Sequence, residues 1–132
     1  VKLWGQGPVA GEIIAGLENM GTSLAAVNFL AGRGAVATVC VFRPCVGTDL
    51  EQEEPPEPEA VAPVLGRMYE ACVEKRIPFG IAPNIRTAMV HLVEEGRCFS
   101  GAGLGLKPWL HAARCAFLKT AFRARSAWRR GS

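Results

Sequence analysis

Several features are missing from this chain, and each absence removes a class of answer. No apolar run reaches the roughly 18 residues that a membrane-spanning helix needs. The start has no basic segment leading into an apolar one, so it does not read as a secretory leader. There is no CxxC pair and no HxxxH spacing, and His91 and His111 stand alone, so they read as ordinary surface or packing histidines. The cysteines Cys40, Cys45, Cys72, Cys98 and Cys115 are odd in number and irregularly spaced, which fits no disulfide framework; buried or free thiols in a reducing, cytoplasmic setting are expected. No Asn-Gly turn joins two apolar runs, so no hairpin is signalled. A net charge of +3 is too small to imply a nucleic-acid partner. Acid is also missing locally: Lys107 to Arg130 contains Lys and Arg but no Asp or Glu, while Glu51, Glu53, Glu54, Glu57 and Glu59 crowd together.

What is present is a chain that can fold. A hydrophobic content of 49% beside 20% charged residues supports one small domain with a real core. Residues 11–17 make a short strand, and 35–42 a second one that is apolar on both faces. Between them Thr22 or Ser23 can cap a helix running to about Ala31, with Leu24, Val27, Phe29 and Leu30 apolar and Gly32 and Gly34 to stop it. Strand, helix and strand have the size of one βαβ unit, about 30 residues.

Pro44 ends the second strand, and an acidic, proline-rich loop through Pro58 follows, expected to cross the mouth of the sheet, with a solvated linker as the alternative from composition alone. Val61, Val64, Leu65, Met68, Tyr69, Cys72 and Val73 recur at helical steps over 59–76, with Pro63 in the first turn, where it is tolerated. Ile77–Ala82 reads as a third strand, and Thr87–Glu95 as one or two helical turns ending at Gly96. Ser100–Gly105 reads as flexible; its Gly101-x-Gly103-x-Gly105 follows no strand and is not a dinucleotide loop. Leu106–Trp128 is a last helix, apolar at Leu110, Ala113, Phe117, Leu118, Ala121 and Phe122 and basic elsewhere. The order predicts parallel α/β, with 1–96 as the sheet-bearing part and 97–132 as a Gly-rich linker and basic amphipathic helix. Three strands alone leave two open edges, and Val1 falls partway through what reads as a helix-to-strand connection, so a piece of a longer protein is expected.

The motifs carry a family resemblance over about residues 5–90. Gly11-x-Ile13 with Glu18 just past the strand, Val41-Phe42-Arg43-Pro44-x-x-Gly47-Thr48-x-Leu50, and Ile81-Ala82-Pro83-Asn84 resemble the C-terminal half of a radical S-adenosylmethionine enzyme of the biotin synthase-related group. That group's fifth-strand motif is Gly-x-Ile-x-Gly-x-x-Glu. Aligned on Glu18, its second Gly falls at Ala15, with Gly16 one place later.

The resemblance implies parallel strands of a partial (β/α) TIM-like barrel. It further implies a [4Fe–4S] cluster whose CxxxCxxC loop belongs to a missing N-terminal barrel half, and reductive cleavage of S-adenosylmethionine to a 5′-deoxyadenosyl radical that abstracts hydrogen from a small-molecule substrate. Gly11, Ile13, Ala15, Gly16, Glu18, Phe42, Arg43, Gly47 and Thr48 become the cofactor-side residues, and Arg43, Asn84 and Arg86 the substrate side, with this chain inactive alone.

Physically, strand-end glycines let a flat ring approach the backbone, Glu18 can accept from a ribose, and Arg43 can grip a carboxylate. Plain alternatives stand beside these: a turn carboxylate at Glu18, a rim ion pair of Arg43 with Glu51 or Glu53, and an Asx turn at Asn84. For the whole chain the alternatives are a non-catalytic α/β half-barrel that binds through its open edge and basic helix, or a phosphate-binding half of an ordinary (β/α)₈ enzyme. For 107–130 they are a packed helix with a solvated basic face, or docking to an anionic membrane surface or an acidic partner.

Overall fold

Alternation along the first strand sets the architecture. The computed structural model describes residues 9–81 and 90–128. Strand β1, Ala10–Ala15, half-buries Gly11 and Ile13 and fully buries Ala15, while Glu12 and Ile14 between them stay exposed. Strand β2, Val36–Val41, lies parallel to it, from Ala10 opposite Val36 to Ala15 opposite Val41. Opposite residues share a face, so Gly11, Ile13 and Ala15 join Ala37, Val39 and Val41 on one side. That side meets helix α1, Met20–Gly32, and helix α2, Pro58–Glu74, which also pack on each other. The main core lies between the sheet and α1 and α2: Ala15, Ala37 and Val39 against Val27, Ala31, Val61, Val64, Leu65 and Met68, while Val36 and Cys40 are buried on the other face of β2.

Helix α1 starts earlier than its hydroxyl residues suggested. Asn19 is the cap, its side-chain oxygen accepting from the Thr22 amide at 2.9 Å, an amide it shares with the Asn19 carbonyl at 3.1 Å. Phe29 leaves the expected stripe: it is 58% exposed, with the Arg33 guanidinium 3.7 Å over its ring. The C-terminus closes with the Gly34 amide on the Ala31 carbonyl and the Ala35 amide on the Leu30 carbonyl, and Gly34 takes the left-handed φ of 76° that this closure requires. Helix α2 closes the same way, Arg76 to Val73 and Ile77 to Cys72, but its left-handed residue is Arg76, at φ 55°.

The expected parallel strand over Ile77–Ala82 is absent from the described part, 77–81. Ile77 is 0% exposed and goes directly into the core. Pro78 lacks the amide a ladder needs, and Gly80 turns left-handed at φ 65°, so the run cannot extend a sheet. Phe79 instead packs in tilted ring contacts between Tyr69 and His111, at ring-centroid distances of 5.9 and 5.0 Å.

The third strand is β3, Val90–His91, where helical turns were expected, and it runs antiparallel to β2, with His91 opposite Val39 and Val90 opposite Cys40. Glu95 fixes the turn after it, accepting from the Leu92 amide at 3.1 Å and pairing with His91 Nδ1 at 3.2 Å. The sheet order is β1-β2-β3, a mixed sheet with one parallel pair. A 3₁₀ turn, Glu95–Phe99, then lies on α2 so closely that a side chain at Gly66 or Gly96 would meet the Phe99 or Leu65 carbonyl. A second, Ala102–Leu104, sends Leu104 into the core. The last helix, α3, covers Lys107–Trp128, as the sequence predicts. Among the described residues no helix is long and apolar enough to cross a membrane.

Candidate functional site

The parallel pairing brings the two motif corners to the same end of the sheet. The Phe42 amide donates to the Ala15 carbonyl at 2.8 Å, and the chain leaves β1 and β2 side by side, one toward Glu18 and the other toward Arg43. Glu18 is exposed, and its backbone bridges Ala15. Arg43 is exposed and pairs with no acid among the described residues, so the alternative partnership with Glu51 or Glu53 is not formed. Glu51 accepts from the Gly47 amide at 2.7 Å and from Gln52 at 3.3 Å, contacts that hold its carboxyl below the usual carboxylate range. Thr48 donates its hydroxyl to the Cys45 carbonyl at 2.7 Å, and Gly47 has φ 83°. The Gly47–Thr48 corner is thus a self-satisfied turn, with its amide and hydroxyl already engaged.

The two glycines have neighbours of their own. A side chain at Gly11 would meet the Leu30 methyls at 2.8 Å, and one at Gly16, φ 93°, would run into the Pro56 ring. The acidic, proline-rich loop therefore does return over the C-terminal end of β1. Ile13 and Ala15 point into the layer beneath α1 and α2, so of the nine cofactor-side residues Glu18, Phe42 and Arg43 carry the groups that the fold has not already used. Asn84 and Arg86 lie outside the described residues.

Two participants escaped the sequence reading. Glu12 and Cys40 occupy the sheet face away from α1 and α2, and Arg43 acts on the same thiol. Burial pushes the Cys40 thiol up, the Glu12 charge adds to this, and Arg43 opposes it. The readable signal was Glu12 itself, an acid inside an otherwise apolar strand. Cys40 is a protonated, poorly nucleophilic thiol here.

All five cysteines are free, and among the described residues no three His, Cys, Asp or Glu side chains converge. The chain's donor set therefore does not fit an iron–sulfur cluster. For an adenosyl ligand the fit is partial: a carboxylate at Glu18 and a guanidinium at Arg43 stand ready, but no bare glycine backbone does. A cleft of about 680 Å³ opens elsewhere, between the end of α2 and the start of α3, with Glu74, Arg76, Lys107, Leu110, His111 and Arg114 in its lining.

Comparison with protein-family models, with curated proteins and with solved structures finds no significant match to this chain.

Proposed function

We propose that the chain forms part of the wall of a radical S-adenosylmethionine-type (β/α) barrel, with β1 and β2 as neighbouring barrel strands. The observation that carries this reading is the shared C-terminal end of a parallel pair, from which Glu18 and Arg43 both emerge. A further support is the first strand: its inward residues meet the helices, while Glu12 and the 46%-exposed Ile14 face away from them.

In this reading Glu18 accepts from the ribose hydroxyls of the adenosyl ligand, and Arg43 holds a carboxylate of the ligand or substrate. An iron–sulfur cluster, which none of this chain's described residues would hold, would supply the electron for reductive cleavage. Titration of the 132-residue chain with S-adenosylmethionine is expected to give binding without cleavage. Glu18→Ala should weaken that binding about tenfold or more, as loss of a charged hydrogen-bond acceptor does. No heat at millimolar ligand, or equal affinity in Glu18→Ala, sinks the reading.

A second reading, a non-catalytic α/β binding module, is favoured by the Pro56 ring over Gly16, which fills the place a flat ligand would take. The same titration separates the two.

A further inference from the structure

Helix α3 is not the packed C-terminal helix that its apolar residues suggest. The side turned to the rest of the chain carries His111, buried, with Cys115 and Leu118 half-buried. The stripe running away from the chain is the bulkier one: Leu106, Trp109, Leu110 and Phe117 are 76%, 72%, 72% and 73% exposed. Trp109, Leu110, Ala113 and Phe117 follow helical spacing and lie on one face. Cations border this face on both sides, Lys107 and Arg114 on one flank and Lys119 and Arg123 on the other, all exposed and with no acid anywhere on the helix.

The cleft at the start of α3 continues the same surface. Leu110 belongs to both, and Arg76, Lys107 and Arg114 stand around the cleft. Its acid, Glu74, is already held by Arg67 at 2.9 Å. Arg114 donates to the Arg76 carbonyl at 3.1 Å, which fixes its guanidinium at the lip.

We infer that the outer face of α3, together with this cleft, docks on an anionic lipid bilayer, with the stripe lying at the acyl boundary and the flanking cations among the headgroup phosphates. The charge pattern selects this occupant. An apolar stripe between two cationic borders matches the depth profile of a bilayer surface, where Lys and Arg reach outward to phosphate while Trp, Leu and Phe sit below. A purely acidic protein surface answers the borders and leaves the stripe in water. Since α3 is not apolar enough to cross a bilayer, this docking would place it in the plane of the surface.

The test is co-sedimentation of the 132-residue chain with vesicles of phosphatidylserine and phosphatidylcholine, about one part to three, beside pure phosphatidylcholine. Pelleting with the mixed vesicles is expected to be at least about tenfold stronger, to weaken as salt rises, and to shift tryptophan emission to the blue. The double variant Lys119→Glu, Arg123→Glu should lose about tenfold or more of the binding. The pair Trp109→Ala, Phe117→Ala should lose most of it while keeping its circular dichroism, because both side chains are already in water. Equal binding to both vesicle types, undiminished binding by the charge-reversed variant, or no pelleting at all overturns the inference. So does self-association that the Trp109, Phe117 pair abolishes in a chain that ignores vesicles.

Discussion

Helices α2 and α3 make the instructive comparison. Both mix apolar and charged residues at helical spacing, yet α2 buries nine of its 17 residues, while α3, with 22, has among its described side chains one buried residue, His111. In α2 the apolar positions gather on one side, which the sheet, α1 and the Glu95–Phe99 turn all cover. In α3 they fall on two opposite sides, and only the smaller set finds cover. Periodicity therefore says which residues share a face, but the presence of a neighbour decides whether that face is core.

The sharpest way to break the contrast is to truncate each helix in turn. Met68→Ala in α2, at a site 0% exposed, should cost about 3 kcal/mol in denaturant unfolding. Phe117→Ala in α3 should stay within about 0.5 kcal/mol. Comparable losses at the two sites would mean that the α3 stripe is covered.

A change of comparable size is expected at alkaline pH, on the α2 side. Burial pushes the Cys72 thiol from 9.0 up to about 12. The unfolded chain then releases this proton first, so the stabilisation is intact below pH 9 and drains away between 9 and about 12, by about 1.4 kcal/mol per unit of separation. Thermal melts across that window should fall less steeply in Cys72→Ala. At neutral pH a disulfide reagent should label the exposed Cys45 and Cys98 and spare Cys72.

Gly66→Ala tests the closeness of the α2 contact with the Glu95–Phe99 turn. Its new carbon would meet the Phe99 carbonyl, and about 2 kcal/mol should be lost, although alanine is the better helix former.

On the α3 side, burial and the Arg114 charge hold the His111 imidazole below its ordinary 6.5. The unfolded chain takes up the proton first, so the stability His111 contributes is present above pH 6.5 and is lost as pH falls. His111→Gln should flatten the melting temperature between neutral and mildly acidic pH; an unchanged slope would place the pH sensitivity elsewhere.

The smallest expected effect compares two helix ends that share the same closing pair of hydrogen bonds. Gly34→Ala should cost about 1 kcal/mol, whereas Arg76→Gly should gain roughly 0.5 kcal/mol by relieving a left-handed side-chain-bearing residue.

These contrasts mark how far the sequence could be read. Strands β1 and β2, the helix between them and α2 were legible because each is announced by its own spacing. That the acidic segment is a loop was also legible, since prolines and glutamates exclude both helix interior and strand; its return over the strand end was one of two readings, which the Pro56 contact with Gly16 decides. The start of α1 was misread because Ser23, which looked like a cap, is 3% exposed inside the helix, while Asn19 does the capping. At the candidate site, the common end of Glu18 and Arg43 followed from parallel strands. The filling of the spaces beside Gly11 and Gly16 did not, since it depends on where Leu30 and Pro56 come to rest.

Sequence alone determined the elements whose signal is local: the buried runs of β1 and β2, the α2 stripe, and the acid-free character of α3. Tertiary structure decided that Ile77 to Gly80 packs instead of pairing, that β3 joins β2 antiparallel, and that α3 shows water its larger apolar side. The reason is physical. A residue's spacing fixes the direction it faces on its own element, but burial, pairing and exposure belong to whatever distant segment arrives on that side.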